Sequence, residues 1–314
     1  MKYGFGIDVG GTTVKLAYFD ENGKMLDKWE IPTDTSENGK NILGDIAASV
    51  ENYLASKQIP REDIIGLGMG VPGPVSRDGV VHTCINLGWG VLNVKQEMSA
   101  LTGFPVKAGN DATVAALGEY WVGGGKGYEN MVMVTLGTGV GGGVVVEGKV
   151  LCGAHGACGE IGHITLNRDE PLLCNCGKRG CVEQYCSATG IVRTAKRYLD
   201  KIDAPSVLRD MENFSCKDVF DTAAAGDAVA KEILDIVYRY LAEFLGNVCV
   251  TVDPEIIVIG GGVSKSGQPL LDGVMQYLPQ HQIHATRNVG LALATLGNDA
   301  GAYGACKLVL DAYK

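Results

Sequence analysis

The feature that most constrains the fold is an internal duplication. Residues 5–19 read FGIDVGGTTVKLAYF, and residues 132–150 read VMVTLGTGVGGGVVVEGKV. Each stretch has an apolar run, a glycine-rich turn and a second apolar run, which is the pattern of a strand, a tight turn and a returning strand. The duplication predicts two similar halves, and ligand sites are common in the cleft between two such domains.

Further strand and helix patterns surround the two turns and predict an α/β fold. Gly137–Gly143 are predicted to form a turn, and Asn22-Gly23 has the signature of a hairpin. Strands are predicted at 3–9, 13–20, 25–31, 64–71, 105–109, 131–136, 144–150 and 256–259, and helices at about 39–57, 111–121 and 229–245.

Composition and charge exclude several classes of protein. The 314 residues suggest two domains, and the net charge of −9 argues against a broad nucleic-acid surface. The uncharged stretch 131–146 is too short and too rich in glycine to span a membrane. The beginning of the sequence lacks a signal-peptide layout, so we expect a cytoplasmic, reduced environment in which cysteines pack or bind metal.

The glycine turns are candidate phosphate sites, because glycine lets backbone N–H groups turn toward phosphate oxygens. One turn contains Gly10, Gly11 and Thr12, the other contains Gly137, Thr138 and Gly139, and a third glycine cluster occupies 260–262. For a single such turn, a hairpin without a ligand is the simpler interpretation; two matching turns favour phosphate. Asp8 lies at the end of the first strand. One interpretation is that its carboxylate binds Mg²⁺ through water, and the other is that Asp8 is simply a turn-forming residue.

Asn110 and Asp111 follow a strand and open a helix. Asn and Asp are favoured helix N-caps, which is one interpretation. The other is a carboxylate that accepts a proton from an attacking hydroxyl, the one base that phosphoryl transfer needs. The two interpretations are compatible.

The cysteine cluster is the most specific chemical signal. His163 precedes Cys174, Cys176 and Cys181, and this set fits a closed, structural Cys₃His zinc site. The alternative is a set of cysteines without a metal. Glu160 and Glu183 flank the cluster, and carboxylates there could bind vicinal hydroxyls of a sugar or be ordinary surface glutamates.

Together these motifs resemble the ROK family of sugar kinases and, within it, the bacterial ATP-dependent glucokinases. The resemblance covers essentially the whole chain. It rests on DVGGT (8–12), GVPGP (70–74), GNDA (109–112), GTG (137–139), GEIGH (159–163), CNCGKRGCVE (174–183) and GGG (260–262).

The resemblance implies a fold of two actin-like (RNase H-like, hexokinase-type) domains with a central cleft, one at 1–115 with 298–314 and one at 116–297. It implies ATP, Mg²⁺ and structural Zn²⁺ as cofactors, glucose as substrate and a role in glycolysis. The implied roles are base for Asp111; sugar ligands for Asn86, Asn110, Asp111, Glu160, His163 and Glu183; cofactor binding for Asp8, Gly10, Gly11, Thr12, Gly137, Thr138, Gly139, Gly260 and Gly261; and zinc ligands for His163, Cys174, Cys176 and Cys181.

Other functions stay open at this point. The same family contains repressors with an N-terminal helix-turn-helix domain, and we expect none here because the phosphate motif begins at Asp8. A sugar-binding protein without activity, a fructokinase, an N-acetylmannosamine kinase, another hexose kinase and a polyphosphate-dependent enzyme are further alternatives. The composition and the family suggest a homodimer or homotetramer, with no nucleic-acid or membrane partner.

Overall fold

A computed structural model describes residues 2–313, and the chain has an α/β fold. The strands are β1 (Tyr3–Val9), β2 (Thr13–Asp20), β3 (Met25–Pro32), β4 (Ile64–Val71), β5 (Val80–Val81), β6 (Leu92–Asn93), β7 (Val106–Asn110), β8 (Met131–Leu136), β9 (Val140–Val146), β10 (Lys149–Val150), β11 (Ile256–Gly260) and β12 (Gly290–Leu293). The helices are α1 (Ile42–Lys57), α2 (Val94–Thr102), α3 (Asp111–Val122), α4 (Glu183–Cys186), α5 (Ala188–Leu199), α6 (Cys216–Ala224), α7 (Ala228–Val252), α8 (Gln268–Met275) and α9 (Ala300–Tyr313).

The chain forms two compact units. Unit 1 comprises Met1–Glu129, Gly143–Gly159 and Thr295–Lys314, and unit 2 comprises Asn130–Gly142 and Glu160–Ala294. The domain bounds expected from the sequence, 1–115 with 298–314 and 116–297, stay a prediction. Met1 and Lys314, the outer ends of the first predicted domain, lie outside the described residues.

Unit 1 is built on a five-stranded sheet with the order β3-β2-β1-β4-β7. Strands β1 to β3 are antiparallel neighbours, whereas β4 is parallel to β1 and β7 is parallel to β4. The carboxyl ends of β1, β4 and β7 therefore meet at one edge of the sheet, which carries Asp8 and Asn110. The apolar core includes Phe5, Ile7, Leu16, Ile46, Val50, Leu67, Met69 and Met98.

Glycines in β1 and β4 let α9 pack directly on the sheet. Glycine alternates with large apolar residues, as GFGI at 4–7 and GLGM at 66–69. Because successive side chains of a strand point to opposite faces, one face is apolar and the other is bare backbone. A side chain at Gly6 or Gly68 would collide with the backbone of Ala302 or Ala305 in α9. This close approach explains much of the high glycine content.

In unit 2, β11 lies between β8 and β12 and is parallel to both, and β9 begins beside β8. All residues of β11 are buried, as expected for a central parallel strand. Helix α7 packs against α4, α5, α6 and α8. Within residues 2–313, no helix combines the length and the apolar composition that crossing a membrane requires.

Two predictions about the second duplicated stretch are wrong. Strand β9 begins at Val140 instead of 144, and residues 147 and 148 form a turn into β10 instead of lying within one strand. Glu147 and Gly148 have φ values of 49° and 73°, as a two-residue hairpin requires. Gly143 lies in β9 against α3, where a side chain would collide with Ala116, so this glycine serves packing.

The other predicted elements are confirmed with small shifts. The strands at 3–9, 13–20, 64–71 and 131–136 match, and the strand expected at 105–109 begins and ends one residue later. Helix α1 begins at Ile42 instead of 39, because Gly39 ends a separate 3-10 turn, Ser36–Gly39. The Asn22-Gly23 turn has its φ of 90° at Gly23, and the Asp20 carboxylate accepts hydrogen bonds from two backbone N–H groups of the turn.

Candidate functional site

Asp8 and the first glycine turn lie at the end of β1 in unit 1. The Gly10 N–H donates to the Thr13 carbonyl at 3.0 Å, which closes the turn. The Asp8 carboxylate lies against the first turn of α9, where a Cβ at Gly301 would be 2.7 Å from its Cγ. Burial raises the pKa of Asp8, Lys15 lowers it in part, and Asp111 adds to the rise. This carboxylate is therefore partly dehydrated and close to a second one.

Asn110 and Asp111 lie where β7 becomes α3. The Asn110 side chain caps the helix, because its Oδ1 accepts from the Thr113 N–H at 3.1 Å, while its Nδ2 donates to the Gly73 carbonyl at 3.1 Å. The N-cap interpretation is thus confirmed. Asp111 is the first helical residue, open to solvent, and its Oδ1 accepts from the Ala112 N–H at 2.8 Å.

The electrostatic setting of Asp111 suits a base. Loss of surrounding water to neighbouring protein raises its pKa, although backbone N–H groups and Asn110 lower it in part. Asp111 and Asp8 are near enough to interact electrostatically, so unit 1 brings together two of the predicted functional carboxylates. Asn86 lies beside the first glycine turn, because a Cβ at Gly11 would lie 3.9 Å from the Cβ of Asn86.

The second glycine turn follows β8 in unit 2 and contacts Glu183. The Gly137 N–H donates to the Gly139 carbonyl at 2.9 Å. The Glu183 Oε2 accepts from the Val140 N–H at 3.0 Å, and a side chain at Gly139 would collide with this carboxylate. The turn therefore needs glycine at 139 for the approach of Glu183.

The third glycine cluster lies beside the second turn. Gly260 ends β11, and Gly261 has a φ of 86°, a conformation that favours glycine. A Cβ at Gly261 would lie 2.7 Å from the carbonyl carbon of Leu136, the last residue of β8. Unit 2 thus brings Gly260, Gly261 and the turn 137–139 to one end of its sheet.

The four predicted zinc ligands converge in unit 2. One ring nitrogen of His163 and the three sulfur atoms lie within 4.8 Å of one another. The Cys174 Sγ is 3.7 Å from His163 Nδ1, and the Cys176 and Cys181 sulfurs are 3.6 Å apart. The other ring nitrogen of His163 is directed elsewhere, with Nε2 3.8 Å from the Glu160 Oε2.

These donors fit a tetrahedral zinc ion. With Zn–S bonds of about 2.3 Å, tetrahedral geometry places sulfur atoms about 3.8 Å apart, close to the 3.6 Å between the Cys176 and Cys181 sulfurs. Burial raises the pKa values of Cys174 and Cys181, the latter to about 12. A divalent cation would lower both values by stabilising the thiolates. Two positive-φ glycines, Gly177 and Gly180, allow the loop to turn tightly around the cluster.

An ion pair with a buried carboxylate, which the sequence did not predict, supports this loop. Glu170 is 2% exposed, and Arg197 binds both of its oxygens at 2.7 Å. The Tyr185 hydroxyl donates to the same carboxylate at 2.5 Å. The Arg197 guanidinium lowers the pKa of Glu170 to about 2. No local pattern signals this pair, because Glu170 lies in the loop before α4 and Arg197 lies near the end of α5.

Comparison with known proteins agrees with these motifs. The family model described as "ROK family" matches residues 4–312. The chain belongs to the ROK family. It is 41% identical to a glucokinase of Halalkalibacterium halodurans, over 97% of this chain and 94% of that protein. The recognition of the family from the sequence is therefore confirmed.

Solved structures of the family have the same fold. A ROK hexokinase from Thermus thermophilus is 29% identical, with a TM-score of 0.82 and coverage of 98% of this chain and 97% of that one. A ROK family glucokinase from Streptomyces griseus, solved in complex with glucose and AMPPNP, is 31% identical, with a TM-score of 0.75 and coverage of 98% of both chains. The expected α/β fold with two actin-like domains is confirmed.

Proposed function

We propose that this protein transfers the γ-phosphoryl group of Mg-ATP to the 6-hydroxyl of D-glucose, giving glucose 6-phosphate and ADP. The observation that carries the proposal is Asp111, a solvent-open carboxylate of raised pKa at the start of α3, beside Asp8 in the same unit. The identity to a glucokinase over nearly the whole chain selects the substrate.

Asp111 is proposed as the general base. A base is most effective when its pKa approaches the working pH, and partial dehydration moves this carboxylate in that direction. Its Oδ1 is oriented by the Ala112 N–H, and the carboxylate is proposed to take the O6 proton. Phosphoryl transfer otherwise needs positioning and neutralisation of charge.

The residues assigned to the sugar hydroxyls are Asn86, Asn110, Asp111, Glu160, His163 and Glu183. In unit 2, His163 Nε2 and the Glu160 carboxylate are neighbours, an arrangement suited to two adjacent hydroxyls. Zn²⁺, when bound by His163, Cys174, Cys176 and Cys181, would be structural and fix the orientation of the His163 ring.

The nucleotide is assigned to the glycine clusters. Gly10, Gly11 and Thr12, with Gly137, Thr138 and Gly139, are proposed to bind phosphate oxygens, and Gly260 and Gly261 to lie near the nucleoside. Mg²⁺ would be held by Asp8, where it would supply positive charge to the phosphates. The proximity of Asp8 and Asp111 supports this assignment, because two neighbouring carboxylates favour a cation nearby.

The test is ADP release with Mg-ATP and a panel of D-glucose, D-mannose, D-fructose, N-acetylglucosamine and N-acetylmannosamine. We expect the highest kcat/KM with glucose. 6-Deoxy-D-glucose is the matched control, because it lacks only the acceptor oxygen and should release no ADP above background. A preference for another sugar would overturn the substrate. Formation of glucose 6-phosphate with polyphosphate but not with Mg-ATP would overturn the donor.

We also propose the two domain bounds stated above, a homodimer or homotetramer, and a cytoplasmic role in glycolysis. The net charge of −9 supports the absence of a nucleic-acid partner. Size-exclusion chromatography with light scattering measures the oligomeric state.

A further inference from the structure

The first glycine turn is held by a residue outside it. Thr33 directly follows β3, and its hydroxyl donates to the Gly10 carbonyl at 2.7 Å. The backbone N–H of the same residue donates to the Thr12 carbonyl at 2.9 Å. Two carbonyls of the turn are therefore engaged by one neighbouring residue.

The second glycine turn is held in the same way, within unit 2. The Thr189 hydroxyl, at the start of α5, donates to the Thr138 carbonyl at 2.9 Å. The N–H of Ala188 donates to the Gly137 carbonyl at 2.8 Å. Ser187 caps α5 by accepting from the Gly190 N–H at 3.0 Å, which fixes the segment that carries these donors.

These hydrogen bonds also fix the direction of the next N–H group in each turn, because the peptide bond is planar and trans. The carbonyl of one residue and the N–H of the next point in opposite directions. Holding the Gly10 carbonyl against Thr33 therefore directs the Gly11 N–H away from Thr33. By the same geometry, holding the Thr138 carbonyl against Thr189 directs the Gly139 N–H away from Thr189. The bonds also keep carbonyl oxygens, which repel phosphate, turned toward the protein.

We propose that Thr33 and Thr189 are positioning residues that orient the N–H groups of the two glycine turns toward the phosphates of ATP. The proposal rests on the proposed function, in which these turns bind the nucleotide. Neither threonine needs to touch a substrate, because each acts through the peptide group it holds. The two units use unrelated segments for the same purpose, the end of β3 in one and the start of α5 in the other.

The test compares valine and serine at each position. Valine has the shape of threonine without the donor, and serine keeps the donor, so we compare Thr33→Val with Thr33→Ser and Thr189→Val with Thr189→Ser. The matched control is Thr251→Val on α7, whose hydroxyl also donates to a backbone carbonyl, that of Asn247 at 2.7 Å, away from either turn. Calorimetry gives the Kd of the unreactive imido analogue of Mg-ATP, and steady-state rates give KM for ATP and for glucose.

We expect each valine variant to raise the Kd of the analogue and the KM for ATP by about three- to tenfold, the size associated with one hydrogen bond. The KM for glucose should stay within about twofold, and the serine variants and Thr251→Val should resemble the wild type. A change in the KM for ATP without a change in the KM for glucose distinguishes positioning of the turns from a general loss of stability. The melting temperature of each variant measures that stability directly. If a valine variant does not fold, alanine at that position serves the same comparison.

Unchanged affinity for the analogue in both valine variants would overturn the inference while leaving the proposed function intact. Serine variants as weak as the valine variants would also overturn it, because the hydroxyl would then not be the active group. A wild type that neither binds the analogue nor phosphorylates any sugar would instead refute the proposed function, and this inference with it.

Discussion

Asp8 and Asp111 of unit 1 and Glu170 of unit 2 are carboxylates in opposite electrostatic states. In unit 1, loss of surrounding water to neighbouring protein raises the pKa values of Asp8 and Asp111, and the two carboxylates lie near each other. In unit 2, the Arg197 guanidinium binds both oxygens of Glu170 and lowers its pKa to about 2. Asp8 and Asp111 are therefore in a state that favours binding of a proton or a cation, whereas the charge of Glu170 is neutralised by Arg197.

This difference distinguishes carboxylates that can take part in the reaction from a carboxylate that stabilises the fold. A carboxylate held by an arginine and a tyrosine has its lone pairs occupied, so it stabilises a loop but cannot serve as a base. A carboxylate without such a partner costs stability and remains reactive, as is common at functional sites. We therefore expect changes at Asp8 and Asp111 to affect the reaction most and changes at Glu170 to affect stability most.

The largest expected effect is that of Asp111→Asn. Removing a positioned base should lower kcat by about 10²–10⁴-fold. The melting temperature should not fall, because the amide keeps the shape and removes a carboxylate whose charge is disfavoured. Coupled measurement of ADP release and thermal unfolding checks both. Asp311→Asn, an exposed carboxylate on α9 that pairs with Lys307, is the control and should keep its activity. Near-full activity of Asp111→Asn would refute its role as the base.

The next effect is that of Cys181→Ser in unit 2. Elemental analysis of the wild type should give about one zinc per chain, and the variant should lose most of it. Because metal binding contributes directly to folding, the melting temperature should fall by about 10 °C. Cys216→Ser, at the start of α6 and outside the cluster, should keep both zinc and stability. Zinc-free wild type of unchanged melting temperature would contradict a structural metal site.

A smaller effect is expected for Gly301→Ala. The added methyl group would lie within 3.0 Å of three atoms of the Asp8 carboxylate, so the carboxylate must move. Displacing a group that holds Mg-ATP should raise the KM for Mg-ATP about tenfold with little change in the KM for glucose. The control is Gly44→Ala in the first turn of α1, where the new Cβ meets nothing within 4 Å. That change should stabilise the fold by about 0.5–1 kcal/mol. If Gly301→Ala and Gly44→Ala had the same KM for Mg-ATP, a role for Asp8 in nucleotide binding would be contradicted.

The smallest effect concerns pH and compares the two units directly. Asp111 works ionised, so kcat/KM should fall on acidification with a midpoint above the ordinary aspartate value of about 3.9. The folded-state pKa of Glu170 is lowered, so its contribution to stability is complete above about 4.3 and is lost as the pH falls toward about 2. Activity should therefore disappear before this contribution does. In Glu170→Gln, the pH dependence of the melting temperature over that lower range should weaken. If the wild type lost its activity and its folded structure over the same pH range, the different roles of Asp111 and Glu170 would be contradicted.

Much of the fold followed from local patterns. The duplicated strand, turn and strand, the Asn22-Gly23 hairpin and the long helix α7 each have a period or a turn signature that a short window of sequence contains. The errors arose because glycine can either form a turn or allow a helix to pack closely against a strand. Gly143 resembled a turn residue, yet it lies in a strand because α3 packs against it.

The sequence by itself determined which residue types could bind phosphate, sugar and zinc, because those chemistries depend on donor atoms and short spacings. It also determined the cysteine loop, whose ligands except His163 lie within eight residues. Only the tertiary structure decided which distant groups support them. The partners of Glu170, of the two glycine turns and of Asp8 come from segments far along the chain, and such contacts depend on packing and leave no local pattern.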